Sequence, residues 1–206
     1  AMDFTADVRS ENSIIEMANY AEKQFGVVHA VVTSAGIVQP PHKPEEMPLD
    51  LFDEVIAINF RGTFLTLRAL AKLMTDKNGG SMVTISSITA ERSVPLHAYA
   101  PQKAAISNLT MGLAAEWGPR GIRVNAIEPG YTRTPALQEQ INQGYRDESL
   151  LARNSTLGRM VEPHEIADAV KFLCSDQASA ITGVALPVDA GFLCAGSWDP
   201  YGGLRV

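Results

Sequence analysis

Short apolar runs alternate with longer amphipathic stretches along this chain. Residues 27–32, 82–86, 123–127 and 184–188 read as buried strands. Residues 11–25, 49–75, 98–117 and 163–175 carry the spacing of helices that bury one face. Ser10 and Asp50 stand where N-caps are expected. Pro101 falls inside the third of these helices, so Tyr99 is placed at its start, where a missing N–H has no intrahelical partner to lose. Alternation of this kind predicts an α/β domain whose parallel sheet is covered on both faces. Such sheets bind ligands beyond the carboxyl ends of their strands. Asp7, Ala35-Gly36, Ser86-Ser87 and Pro129-Gly130 all fall at predicted strand ends, with residues 2–7 counted as a strand.

Composition narrows the partners. The chain has 206 residues, 46% of them hydrophobic and 19% charged, which suits one domain with a substantial core. The net charge of −6 and the absence of a Lys/Arg block argue against nucleic acid and anionic membranes. No apolar run approaches the roughly 20 residues of a membrane span. Cys174 and Cys194 lie far apart in no recognisable motif, which suits a reduced, cytoplasmic setting without a disulfide. His29, His42, His97 and His164 have no metal-ligand spacing, and no metal is expected.

The candidate chemistry centres on Tyr99 and Lys103, four residues apart, with Ser86 and Ser87 upstream. That separation puts phenol and ammonium on one helix face. An ammonium beside a phenol favours the phenolate and lowers a pKa of about 10, so such a tyrosine can exchange a proton near neutral pH. A neighbouring serine hydroxyl can hold a substrate oxygen meanwhile. A solvated helix face would show the same Tyr/Lys spacing, so the flanking sequence decides.

Those flanks are a strand running into Ser86-Ser87, Tyr99-Ala-Pro-Gln-Lys103, and Val124-Asn-Ala-Ile-Glu-Pro-Gly130. They resemble the short-chain dehydrogenase/reductase family. So do Asp7-Val8, Ala35-Gly36-Ile37, Asn59 with Gly62, residues 163–166, and the segment from Ile181-Thr-Gly183 through Asp189-Ala-Gly191. The resemblance implies a doubly wound, Rossmann-like single domain over residues 1–206, an NAD or NADP cofactor, a small alcohol or ketone substrate, and a homo-oligomer, dimer or tetramer. Tyr99 is then the acid/base, and Lys103 tunes it and holds the nicotinamide ribose. Ser87 is favoured over Ser86 to orient the substrate oxygen, although a loop one residue short keeps Ser86 open. Asn59 disrupts its helix and holds a water linked to Lys103. The resemblance assigns Asp7 and Val8 to adenine, Ala35 and Gly36 to a closely approaching ribose, and Pro129, Gly130, Thr132 and Thr134 to the nicotinamide side. His97 lies close enough in sequence to Tyr99 to line the substrate pocket. Residues 134–157 occupy the family's lid, and their polarity favours a polyol or sugar. The aromatic tail from Ala195 to Gly203 matches segments that pack on a neighbouring subunit.

Two departures stand out. The family's opening strand, Gly-rich phosphate turn and second strand have no counterpart here. Ala1 is therefore expected to begin at the third strand, with further residues upstream of it in the protein and with weak dinucleotide binding by these residues alone. Thr33-Ser34 replaces the usual Asn-Asn, which removes a side-chain amide that braces the sheet. Two other readings remain: an inactive fragment or non-catalytic binding protein of the same fold, and a sugar-nucleotide epimerase or dehydratase.

Overall fold

The computed structural model describes residues 1–74, 79–195, 198, 200 and 203–204. Four parallel strands form one sheet in sequential order: β1 (Ala30–Thr33), β2 (Gly80–Ile85), β3 (Ile122–Pro129) and β4 (Ala185–Val188). Val32 pairs with Val83, Val83 with Asn125, and Ile127 with Leu186, so the strands run in close register.

Side chains leave a strand alternately to opposite faces. Met82, Ile122 and Val124 join Ile14 and Ala18 of α1 (Glu11–Phe25), Leu67 and Leu70 of α3 (Gly62–Ala71), and Leu113 of α4 (Tyr99–Trp117). Val83 and Ile127 face the other way, onto Leu173 of α7 (Pro163–Cys174) and Ala178. Each fully buried Leu, Ile or Met contributes roughly 1.5–3 kcal/mol. The two clusters hold helices on both faces, as the alternation predicts. Among the described residues no helix is long and apolar enough to cross a membrane. Cys174 and Cys194 are free thiols.

The helix starts follow local chemistry. Ser10 caps α1 by accepting from the Ser13 N–H at 3.3 Å. Glu162 and Glu165 form a reciprocal capping box at the start of α7, with Pro163 at its first position. Asp50 is not a cap: Pro48 takes that position before α2 (Leu49–Val55), and Asp50 lies in the first turn, where its charge suits the helix dipole. The helix expected over 49–75 is broken in the middle. A π-helical turn, Ile56–Arg61, separates α2 from α3, and residue 75 lies outside the described residues.

Residues 2–7 form no strand and are largely exposed. A strand needs a ladder partner for its N–H and C=O groups. The outer edge of β1 pairs with no strand among the described residues, and residues 2–7 lie instead against α1, with the Asp7 N–H donating to the Ser13 hydroxyl and Phe4 packing on Tyr20. The first strand also starts later than the apolar run from Val27 suggests, at Ala30.

Candidate active site

The site grows out of the carboxyl end of β2. Beyond Ile85 the chain places Ser86 and Ser87, makes a single 3₁₀ turn over Ile88–Ala90, and returns to start α4 at Tyr99. Pro101 sits in the first turn of that helix, where its lack of an N–H costs nothing. Lys103 follows one turn later and is only 5% exposed. Its ammonium donates to the Ile85 carbonyl at 2.7 Å and lies 5.2 Å from the centroid of the Tyr99 ring. Burial alone brings the Lys103 pKa down from 10.5 to about 8.

Tyr99 departs from expectation. Burial raises its pKa above the ordinary phenol value, and a hydrogen bond with Ser87 pulls it partly back. The lowering expected from Lys103 is not realised in this state. The ammonium stands over the ring face, bonded to Ile85, and desolvation of the phenolate dominates. Burial therefore favours the protonated phenol of Tyr99.

The two serines point to different places. Ser87 accepts from the Thr89 N–H at 3.1 Å and reaches Tyr99. Ser86 turns inward and donates to the Lys103 carbonyl at 2.7 Å. Ser87 is thus the serine beside the phenol.

Asn59 lies at the centre of the π-helical turn and is fully buried. Its amide brackets Ile37: the Ile37 N–H donates to Oδ1 and Nδ2 donates to the Ile37 carbonyl, both at 2.8 Å. This clamp holds the loop after β1, including Ala35 and Gly36, against the helix. Gly62 has its own reason to be glycine, because a Cβ there would lie 2.9 Å from Val8. Thr33, at the end of β1, buries a hydroxyl with no partner, in keeping with the lost amide brace.

The other expected residues lie around this edge or apart from it. The carboxylate of Asp7 is gripped by Arg9, through its backbone N–H at 2.9 Å and its guanidinium at 2.9–3.2 Å, which lowers the Asp7 pKa. Pro129 ends β3, and Gly130 packs so tightly that a Cβ would lie 2.7 Å from the Asp189 Cα. The Thr132 hydroxyl donates to the Gly130 carbonyl at 3.0 Å. Thr134 caps α5 (Pro135–Asn142) by accepting from the Leu137 N–H. His97 is exposed in the loop before Tyr99. Among the described residues no group of three His, Cys, Asp or Glu side chains converges as a metal site.

Sequence reading missed two features. Arg133 ties three segments together, with contacts to Gln138 at 2.8 Å, Glu148 of α6 (Glu148–Arg153) at 2.5 Å and Glu162 at 3.1 Å. The acidic and amide residues around it were visible as lid composition, but their common partner was not. The second is Glu128, buried at 1% exposure on β3. An acid inside an apolar strand pattern was its only signal.

The edge suits a dinucleotide. An ammonium has three donors, and Ile85 engages one of those on Lys103, leaving two for vicinal ribose hydroxyls. The ends of β1, β2 and β3 converge there, as doubly wound sheets require.

Comparison with known proteins agrees in kind. A family model described as Enoyl-(Acyl carrier protein) reductase matches residues 1–193. An uncharacterized short-chain type dehydrogenase/reductase of Sinorhizobium fredii is 38% identical over 91% of the chain, which spans only 34% of that relative. D-threitol dehydrogenase of Mycolicibacterium smegmatis is 37% identical over 92% of the chain and 72% of its own length. Among solved structures, one described as ribose-5-phosphate isomerase from Brucella melitensis 16M superposes with a TM-score of 0.94 at 46% identity, covering 98% of this chain and 78% of that one. ElxO with NADP bound superposes with a TM-score of 0.88 at 30% identity, covering 93% and 77%.

Proposed function

The chain belongs to the short-chain dehydrogenase/reductase family of NAD(P)-dependent oxidoreductases, and on that premise we propose that Tyr99 exchanges the proton that accompanies hydride transfer between a nicotinamide and a secondary alcohol or its ketone. The observation that carries this reading is the meeting of Tyr99, Ser87 and Lys103 at the carboxyl edge of a parallel sheet.

Bound NAD or NADP supplies the hydride chemistry. The residues do the rest. In the reducing direction Ser87 and Tyr99 hold the ketone oxygen, and the phenol gives it a proton. In the oxidising direction the same oxygen returns the proton to Tyr99. The two free donors of Lys103 hold the nicotinamide ribose. Asn59 fixes the loop carrying Ala35 and Gly36, and it is assigned the far end of a water-linked relay from Lys103. Val8, Pro129, Gly130, Thr132 and Thr134 line the cofactor path. Asp7 reaches adenine only if Arg9 shares its carboxylate.

Residues 134–157 are proposed as a substrate lid anchored through Arg133, and His97 as a pocket residue. The polarity of the lid, with the polyol named for the M. smegmatis relative, favours a polyol or sugar alcohol. Exposed apolar side chains such as Phe64, Met111 and Phe172 support self-association. The tail from Ala195 lies partly outside the described residues.

The test is a panel of polyols, sugars and simple secondary alcohols, followed by nicotinamide absorbance with NAD and with NADP. Stoichiometric reduction of the cofactor by a secondary alcohol supports the reading. An isomerase or epimerase would convert a sugar with no net change in absorbance, and a binding protein would convert none.

A further inference from the structure

Behind the proposed site lies a chain of oxygens. The Glu128 Oε1 is 2.7 Å from the Ser107 hydroxyl, which is 2.9 Å from the Ser86 hydroxyl, which is 2.7 Å from the Lys103 carbonyl. All three are hydrogen-bonding distances. Each serine brings a single hydrogen. The Ser86 hydrogen goes to the Lys103 carbonyl, which has none of its own. The Ser107 hydrogen can serve Ser86 or Glu128, but not both. If Glu128 were a carboxylate, one of these close contacts would hold two oxygens with no hydrogen between them. A third hydrogen completes the set, and the Glu128 carboxyl is the group that can bring it.

We propose that Glu128 is held as a neutral carboxylic acid that donates to Ser107 and, through Ser107 and Ser86, positions the backbone of Lys103. The chain then runs in one direction: Glu128 to Ser107, Ser107 to Ser86, Ser86 to the Lys103 carbonyl. Lys103 is fixed at both ends, by Ser86 at its carbonyl and by Ile85 at its ammonium. The Lys103 half of the proposal rests on the reading of Lys103 as a working residue; the protonation of Glu128 does not.

The surroundings agree. Glu128 is 1% exposed, and no cation pairs with it among the described residues. The charged groups facing it are Glu91, beyond the Ser87 turn, and Asp189, beyond β4, both acidic. Lys103 on α4 aims its ammonium at Ile85 instead. Burial is the main cause that raises the carboxyl above its ordinary value, with the two acids adding to it and Ser107 opposing.

Three readouts on the full chain test this, and none depends on hydride transfer. Infrared spectra at pH 7 should show a protonated-carboxyl C=O band in wild type that is missing from Glu128→Gln. Identical spectra would overturn the neutral acid. Unfolding free energy gives the second readout. An acid with a raised folded pKa loses its stabilising contribution as pH rises from its unfolded value through its folded one. Wild type should therefore lose stability relative to Glu128→Gln as pH rises above about 4.5. A difference that does not vary with pH would contradict the proposal. Third, NMR titration of the Lys103 ammonium should move in Glu128→Leu and in Ser107→Ala, and should be restored in Glu128→Gln, whose amide can still donate. A Lys103 titration indifferent to all three variants would overturn the positioning role, even with Glu128 protonated.

Discussion

Tyr99 and Lys103 show how environment overrides spacing. Their separation places ammonium beside phenol, and the usual consequence is a lowered phenol pKa. Here both groups are buried, and desolvation moves each toward its neutral form: the phenol up, the ammonium down to about 8. Lys103 then has a definite stability signature. A lysine whose folded pKa lies below its unfolded one binds fewer protons when folded, so stability rises with pH between the two values. Each pH unit in that window is worth about 1.4 kcal/mol. Chemical denaturation of wild type against Lys103→Met should show wild type gaining up to roughly 3 kcal/mol on the variant between about pH 8 and 10.5. A difference that stays flat would mean that Lys103 keeps an ordinary pKa. The residues of this site were legible as types and spacings. Their protonation was not, because it depends on burial and on which acceptor each donor finds. The choice between Ser86 and Ser87 was undecidable from sequence for the same reason: adjacent side chains at a strand end diverge, one toward α4 and one toward the phenol.

Elements were legible where the pattern was local. Helix α1 begins at Glu11 and ends at Phe25, as its cap and periodicity predict. The break at Ile56–Arg61 was expected from the family resemblance, which gives Asn59 that effect, and not from the local pattern, which is otherwise regularly helical. What opens the helix is tertiary: a buried amide paired with the backbone of Ile37, 22 residues away. Asn59→Leu should therefore leave two backbone groups of Ile37 without partners. An unsatisfied buried group costs about 1–3 kcal/mol, so thermal unfolding should fall markedly. Gly62→Ala drives a methyl into Val8 and should cost about 1–3 kcal/mol of stability by overpacking. Unchanged melting of either variant would contradict the packing described here. Residues 134–157 form α5 and α6 with Leu151 as the buried apolar anchor of those helices. Arg133 adds polar contacts to Gln138 and Glu148. Arg133→Ala should raise amide hydrogen exchange across 135–153 while α4 keeps its protection, and exchange equal to wild type would remove Arg133 as the anchor. The misplaced strand at residues 2–7 has a physical lesson. Alternation and apolar content give a segment the capacity to be a strand, but the ladder partner decides, and here β1 offers its outer edge to none among the described residues.

At the scale of the molecule, the sheet order and the helices on both faces follow from the alternation of patterns, and they place three strand ends on one edge. The proposed chemistry depends on that convergence: β2 delivers Ser87, α4 returns Tyr99 and Lys103 to it, and the loops after β1 and β3 flank it with Gly36 and Gly130. The central claim is that this assembly moves the proton paired with hydride transfer, through the Tyr99 oxygen. Single-turnover ketone reduction, followed by nicotinamide absorbance across pH in wild type and Tyr99→Phe, tests it most directly. Losing a positioned acid should slow the step by about 10²–10⁴-fold, and the pH dependence that belongs to Tyr99 should vanish with it. A Tyr99→Phe enzyme that reduces substrate at the wild-type rate, with the wild-type pH profile, would contradict the account.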